Sequence, residues 1–293
     1  MLSSALPSGA GIQQGVIDLT LAKRGERTRL AQVRSRPPLQ VQQALHPDSG
    51  LPDMALVMLS NPTGGIFQGD RHRIAVKVEP GAMVHVTGQG ATRIHTMPDE
   101  SACQDVELVV ADGGYLEYLP DPVIPYRDSD FQQRTTLTVA SGGKLIYWDI
   151  ITPGRVAMGE SFRYRRFHNK LEVMDCGGHP VYREAFSLNP ARGLSPGCGI
   201  FSGRLGTGPG CTLGSMLVIL PGTDFRALSI ELQDLVTNIP DVAAGAGLLP
   251  NRVGVGVRVL GNEATEVRNA LTQCWAAARK HLLGASLPFL RKY

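Results

Sequence analysis

The chain has 293 residues, of which 43% are hydrophobic and 19% charged, and its formal net charge is +3. This apolar content is enough for a large core, while the weak charge and the lack of a basic tract with interleaved aromatics argue against nucleic-acid binding. The apolar runs are too short to span a bilayer, the first residues lack signal-peptide regions, and five scattered cysteines are typical of a reduced, cytoplasmic protein.

Short strands are predicted for the first two-thirds of the chain. Segments 15–22, 27–33, 53–60 and 73–79 alternate apolar and polar residues and are bounded by Gly, Pro or Asp. No helical pattern separates these segments before about residue 225, as a parallel α/β fold would require. The abundance of glycine (34) and proline (20) also favours a turn-rich β protein.

The stretch NPTGGIFQGDRH, residues 61–72, raises the question of a phosphate-binding loop. Asp70 follows Gly69 and would repel a phosphate, no lysine stands at the required place, and the next segment alternates like a strand. We therefore interpret Gly64, Gly65 and Gly69 as structural residues of a turn or bulge, and we expect positive φ for at least one of them.

An internal repeat of about thirty residues predicts stacked units. Its copies are VEPGAMVHV, VADGGYLEY and VASGGKLIY, with a looser fourth copy, VMDCGGHPV, from Val173. In the first three copies His85, Glu117 and Ile146 occupy the same place, so stacking would align them in a column at roughly 5 Å spacing. The alternative is that unrelated β-hairpins merely look alike.

The last part of the chain predicts two helices, at about 225–238 with Asp224 as its cap and about 263–283 with Asn262 as its cap. In the second segment apolar residues recur at helical spacing and Gly284 follows as a stop. No linker separates the helices from the strands, so we expect one domain, 1–293. The expected fold is mostly β, with two stacked, largely antiparallel sheets, solenoid-like layering and two C-terminal helices.

Three carboxylates stand out as candidates for chemistry. Glu117 and Asp149 lie beside large aromatic residues in GYLEYLP and YWDI, and Glu160 ends the stretch GRVAMGE. Paired carboxylates suit a glycosidase, and the same oxygen atoms suit transient binding of a metal cation. The alternative for all three is a solvent-facing strand surface.

The histidines and cysteines carry a weaker signal. His72, His85 and His95 form no His-x-His pair or zinc-protease motif, and we interpret them as incidental or surface residues. Cys176 and His179, in the stretch CGGH, lack a second pair that would complete a metal site. No Gly-x-Ser-x-Gly elbow supports a serine hydrolase.

The motifs GGIFQGD, GATRIHT, LEYLPDPVIPY, YWDIITPGRVAMGESF and VGVRVLG appear in this order, before a final helix with Trp275. In this order the chain resembles the UreD (UreH) family of urease accessory proteins over about residues 15–285. The resemblance implies a non-catalytic, β-rich maturation factor without a permanent cofactor. It would bind apo-urease and the UreF partner, recruit the GTPase UreG through UreF, and assist nickel insertion.

The resemblance also implies an internal path for nickel in transit. We expect Glu117, Asp149, Glu160 and His85 to contribute weak ligands to that path, so that the ion can leave. Asp70 and Arg155 join the glycines of the 61–72 stretch as expected interface or structural positions. Two alternatives remain: a carbohydrate-active β-solenoid enzyme using paired carboxylates, and a plain β-rich interaction module without a metal role.

Overall fold

The computed structural model describes residues 14–192 and 211–290. In chain order the strands of these residues are β1 (Gln14–Arg24), β2 (Arg27–Arg36), β3 (Gln40–Val41), β4 (Ala55–Ser60), β5 (Arg71–Val78), β6 (Met83–Gly88), β7 (Thr92–Ile94), β8 (Ala102–Val110), β9 (Tyr115–Tyr118), β10 (Val123–Pro125), β11 (Asp130–Val139), β12 (Lys144–Ile151), β13 (Arg166–Met174), β14 (Pro180–Leu188), β15 (Thr212–Ile219), β16 (Val242–Leu248) and β17 (Gly254–Gly261). The helices are α1 (Arg226–Thr237) and α2 (Ala264–Leu283).

The described strands form two stacked sheets. The first sheet has the order β14-β13-β11-β8-β5-β1-β2, and the second has the order β16-β17-β15-β12-β9-β6-β4-β3. The short strand β10 pairs with the short strand β7 and with the end of β12. Both helices pack on the second sheet, on the side away from the first sheet. The predicted mostly-β fold with stacked sheets and two late helices is confirmed.

The middle of the chain winds as a coil with three walls. Each turn contributes one strand to the first sheet, one to the second and one to a short third wall, as in β5-β6-β7 and β8-β9-β10. The repeat copies stack in register: His85 pairs with Glu117, and Glu117 pairs with Ile146. The predicted stacking of the three copies is therefore confirmed.

Strand direction differs from the expectation of largely antiparallel sheets. Because each turn of the coil runs in the same direction, the central pairs β5-β8, β8-β11, β6-β9 and β9-β12 are parallel. Antiparallel pairs lie towards the sheet ends, so both sheets are mixed. The looser fourth copy belongs to one of those ends: after Val173 the chain turns back within the same sheet, and Val173 pairs with Tyr182.

The helices lie where the sequence predicts them, but their caps differ. The N-cap of α2 is Glu263 rather than Asn262, and Glu263 and Glu266 form a reciprocal capping box. The helix ends at Gly284 in the left-handed conformation, as expected. The N-cap of α1 is Phe225, while the Asp224 carboxylate accepts a hydrogen bond from the Arg226 backbone N–H.

Apolar side chains fill three layers: between the two sheets, between the second sheet and the helices, and behind the third wall. The outer face of the first sheet instead carries ion pairs between neighbouring strands, including Arg73 with Asp18 and Glu107. The described cysteines are free thiols, and Cys198 lies outside the described residues, as do both ends of the expected 1–293 domain. Neither described helix has the length and apolar character needed to cross a membrane.

Candidate functional site

The glycine-rich loop at 61–70 has the backbone geometry that the sequence predicts. Gly64, Gly65 and Gly69 have φ values of 91°, 153° and 77°. A Cβ at Gly65 would collide with the Arg93 carbonyl oxygen and lie 2.9 Å from the His95 ring. The Asp70 carboxylate accepts a hydrogen bond from the Phe67 backbone N–H at 2.9 Å, so Asp70 stabilises the turn.

Beside this loop, side chains from successive turns of the coil form a stack. The Phe67 ring lies parallel to the His95 ring at 4.2 Å, and the His95 ring lies 4.9 Å from the Tyr126 ring. The Arg155 guanidinium covers the other part of the stack, 4.1 Å from the Tyr126 centroid. We name these four residues, together with the exposed Met158 that follows Arg155, the loop-end surface.

Glu160 is the partner that orients Arg155. Its two carboxylate oxygens accept hydrogen bonds from Nε and Nη2 of Arg155 at 2.8 and 2.7 Å. The hydrogen bonds from Arg155 hold the pKa of Glu160 below its usual value. The carboxylate of the predicted metal-path residue Glu160 is therefore engaged in supporting the loop-end surface.

A second feature is a line of polar side chains between the two sheets. His72, Gln104, Gln133 and Asn169 are directly paired on the adjacent strands β5, β8, β11 and β13. His72, Gln133 and Asn169 are buried. We name these four residues the inter-sheet polar row.

Asp149 faces this row from the second sheet. Gln133 Nε2 donates to both Asp149 carboxylate oxygens at 3.2 Å, and the Tyr147 hydroxyl donates to Oδ2. Burial raises the pKa of Asp149 to about 6, although these hydrogen bonds act in the opposite direction. Asp149 is therefore a buried carboxyl group whose charge changes within one pH unit of neutrality.

A cavity of about 380 Å³ opens at one end of the polar row, lined by His72, Gln104 and Tyr118. Gly65 and Arg93 belong to its lining as well, so the cavity lies directly beneath the glycine-rich loop. Tyr118 stacks on Tyr147 at 6.0 Å, which connects the cavity to the surroundings of Asp149.

His72 is the least satisfied polar side chain of the cavity. Its ring is 2% exposed, and neither ring nitrogen has a hydrogen-bond partner within residues 14–192 and 211–290. The nearest carboxylate, Asp70, lies 3.8 Å from Nε2. Burial lowers the pKa of His72 despite the charge of Asp70, so the imidazole is neutral near pH 7. A neutral imidazole is a good ligand for a borderline metal ion such as nickel.

Glu117 lies on the opposite face of the second sheet, in a closed charged cluster with α2. Its carboxylate accepts hydrogen bonds from the Tyr115 hydroxyl at 2.6 Å, from His85 Nδ1 at 2.7 Å and from Arg279 at 3.2 Å. Arg279 is fully buried and also donates to Asp48. Burial alone would raise the pKa of Glu117, but His85, Arg279 and Tyr115 together lower it.

Several sequence-based interpretations are corrected by this geometry. Glu117 pairs with Ile146, and Asp149 lies three residues further along the same strand, so the two carboxylates face opposite sides of the sheet. The paired-carboxylate interpretation is therefore wrong, and so is the solvent-facing alternative, because Glu117, Asp149 and Glu160 are buried. His72 and His85 are likewise buried rather than surface residues. Within the described part of the chain, no three His, Cys, Asp or Glu residues converge as a ready metal site.

Two groups of residues escaped the sequence analysis. Arg279 follows Trp275 by four residues on the apolar face of a predicted helix, and an arginine at such a position signals a buried acidic partner. Its partner Asp48 sits in an ordinary-looking turn sequence and gave no signal. His72, Gln104 and Gln133 each stand six residues before the first valine of a repeat copy, so the repeat could have grouped them, whereas only the strand register adds Asn169 to the row.

Comparison with known proteins gives the family. A family model described as UreD urease accessory protein matches residues 13–292. The chain belongs to the UreD family. It is therefore an accessory protein of urease maturation rather than an enzyme.

Individual relatives support the same family. The protein "Urease accessory protein UreD 2" of Brucella suis is 37% identical over 97% of this chain and 92% of its own length. "Urease accessory protein UreD" of Cenarchaeum symbiosum is 33% identical over 94% of this chain and 95% of its own length. The UreD protein of Haloarcula marismortui is 34% identical over 97% of this chain and 92% of its own length.

Proposed function

We propose that this UreD-family protein is a cytoplasmic scaffold that binds the urease apoprotein and a UreF partner. Through UreF it brings the UreG GTPase into the complex, and nickel passes through the scaffold towards the urease active site. The observation that carries the nickel step is the inter-sheet polar row, which joins a cavity at His72 to the buried carboxyl of Asp149.

The chemistry of the row suits an ion that must enter and leave. The row itself consists of three neutral amides and one neutral imidazole, and Asp149 adds a single carboxylate beside it. Such a donor set binds nickel weakly at each position, because neither a thiolate nor a second carboxylate is present among these residues. With strands about 4.8 Å apart, the row covers roughly 14 Å from His72 to Asn169.

Glu117, His85 and Glu160 remain candidates for the path, but their contacts favour structural roles. A nickel ion at Glu117 would have to displace the buried Arg279, which also neutralises Asp48. An ion at Glu160 would have to displace both hydrogen bonds from Arg155. We therefore assign the transit step to Asp149 and His72 first.

The test uses the whole urease gene cluster expressed in cells, with Asp149→Asn, His72→Leu and Glu117→Gln introduced separately. The measurements are nickel per urease active site and recovery of the accessory complex by affinity purification. We expect Asp149→Asn and His72→Leu to assemble normally and to lower the nickel content of urease. The exposed α1 variant Glu231→Gln serves as the matched control.

Full nickel loading of urease in the assembled complexes of both the Asp149→Asn variant and the His72→Leu variant would refute transit along the row. That result would instead favour the plain interaction module, in which UreD only holds its partners together. Deleting the chain tests the broader maturation role, since urease that acquires nickel without it would exclude this role altogether. The double variant Glu117→Ala, Asp149→Ala is less informative, because its two positions lie on different faces of one sheet.

A further inference from the structure

The loop-end surface has the composition of an interface centre although the described residues leave it open. Phe67 and Val156 are each 39% exposed, and Met158 is 70% exposed. Aromatic residues, methionine and arginine are enriched where proteins bind each other, whereas isolated exposed apolar residues need no explanation. Here they adjoin a continuous stack of rings and one guanidinium.

The surface is also held rigidly, which lowers the entropy cost of binding. Ile66 is tied to the β7 segment by two backbone hydrogen bonds. Its N–H donates to the Arg93 carbonyl oxygen, and its own carbonyl oxygen accepts from the His95 N–H. On the other side, a bidentate contact from Glu160 fixes Arg155 over Tyr126. The loops that carry Phe67, His95, Tyr126 and Arg155 therefore present one preformed surface.

The charge around the cavity indicates the chemistry of the occupant. Arg93 is the only Asp, Glu, Lys or Arg among the described residues that line the cavity. Arg127, which has a side chain 57% exposed, and Arg155 both lie within 4 Å of the single carboxylate of Glu160, so this group of three keeps one positive charge. Two exposed acidic residues, Asp99 and Glu100, follow His95 on the loop after β7, whereas Arg93 has no ion-pair partner among the described residues.

This positive rim opposes the approach of a cation to the mouth of the cavity, although the Asp70 carboxylate lies 3.8 Å from Nε2 of His72 further inside. Like charges at a partly desolvated site repel, and opposite charges brought by a partner would remove that barrier. A docked segment with carboxylates would thus both bind the arginines and make the cavity accessible to a metal ion. An apolar side chain in the same segment would cover Met158 and Phe67.

We propose that the loop-end surface and Arg93 form the docking site for an acidic, apolar-centred segment of a protein partner in the urease maturation complex. The inference rests on the proposed function and adds the location and the chemistry of one contact. In this proposal, docking at the surface comes before nickel transit. Complex formation in the absence of nickel therefore measures docking directly.

The first test places a photo-crosslinking amino acid at Met158 of the full chain, co-expressed with the urease gene cluster in nickel-free medium. The matched control position is Gln32, which is exposed on the edge strand β2. We expect Met158 to crosslink to a segment of another complex member with at least two carboxylates flanking an apolar residue, and Gln32 not to do so. Crosslinks only to a second copy of this chain, or to a segment without carboxylates, would overturn the proposal.

The second test reverses charge with Arg93→Glu plus Arg127→Glu, compared with Arg27→Glu plus Arg29→Glu on β2. We expect the rim variant to lose about tenfold or more in affinity for the crosslinked partner, with recovery when the partner carboxylates become lysines. Equal affinity of the rim variant and the control would refute the docking site. Met158→Asp, a change at an exposed side chain, provides the same comparison if the rim variant is unstable.

Failure of this inference differs from failure of the proposed function. If deleting the chain abolishes nickel loading but rim variants bind every partner normally, the docking site lies elsewhere and the maturation role stands. If deletion leaves nickel loading intact, the maturation role itself is wrong.

Discussion

Each face of the second sheet carries a buried carboxylate, and the two carboxylates have different donors and opposite pKa shifts. On the helix side, Glu117 receives a fully buried arginine, a histidine and a tyrosine hydroxyl, and its pKa falls below the usual value. On the inter-sheet side, Asp149 receives only neutral donors directly, and burial raises its pKa to about 6.

The difference separates a structural cluster from a candidate functional one. On the helix side, Arg279 contacts both Glu117 and Asp48 and so attaches α2 to the sheet, since its removal would leave two carboxylates buried without a cation. The inter-sheet side retains an unfavourable carboxyl and an unsatisfied imidazole, and such uncompensated polar groups are typical of sites that handle a ligand.

The largest expected effect comes from Arg279→Met. This change leaves Glu117 and Asp48 buried without their cation, and loss of one partner of a buried ion pair costs about 3–5 kcal/mol. We expect the free energy of unfolding, measured by urea denaturation, to fall by that amount. The neighbouring exposed residue provides the control, Lys280→Ala, and equal stability of the two variants would show that the cluster does not hold α2.

Gly65→Val tests the loop that covers the cavity. The glycine has φ of 153° and no room for a Cβ beside Arg93 and His95, so the substitution should cost about 2–4 kcal/mol through strain and displacement of the loop. Gly90→Ala is the matched control, because a Cβ there meets nothing within 4 Å. Thermal unfolding measures both, and ATP or GTP should leave the wild-type transition unchanged.

Asp149→Asn should stabilise the protein at neutral pH. Between its usual pKa of 3.8 and the folded value of about 6, the folded chain retains a proton that the unfolded chain releases, so stability falls as pH rises. Above pH 6 the folded chain bears the full free-energy cost of a buried, ionised Asp149, roughly 1–3 kcal/mol. The neutral asparagine removes this cost.

Neutralising Glu117 should change the free energy of unfolding in the opposite direction. Its lowered pKa stabilises the folded chain above the unfolded pKa, and this contribution is lost as pH falls through the folded pKa. Glu117→Gln should therefore destabilise the protein at pH 7.5, while Asp149→Asn stabilises it there and has no effect below pH 4. Urea denaturation across pH 4–8 distinguishes them, and matching profiles would contradict the contrast between the two faces.

The smallest expected effect on stability is that of Met158→Ser. The side chain is 70% exposed, so unfolding should change by less than about 0.5 kcal/mol. Light scattering should nevertheless show less self-association of the isolated chain, which we expect to be poorly soluble without the proposed UreF partner. Unchanged scattering would show that Met158 does not contribute to self-association.

Local sequence patterns are enough to predict the strands, the helices and the stacking of the repeat. Local alternation and turn residues predict strands, helical spacing with Gly284 predicts α2, and the thirty-residue repeat predicts that His85 lies beside Glu117. The positive φ values of the glycine-rich loop were predictable for the same reason, because backbone strain is a local property.

The environment of each polar group depends instead on the packing of the whole chain. Strand direction depends on the path of the whole coil, so it turned an expected antiparallel arrangement into mixed sheets. Strand parity then separated Glu117 from Asp149, and register aligned His72 with three amides from successive turns of the coil. Burial and charge are sums over all neighbours in space, and so only packing gave Glu117 its arginine and left Asp149 with neutral donors.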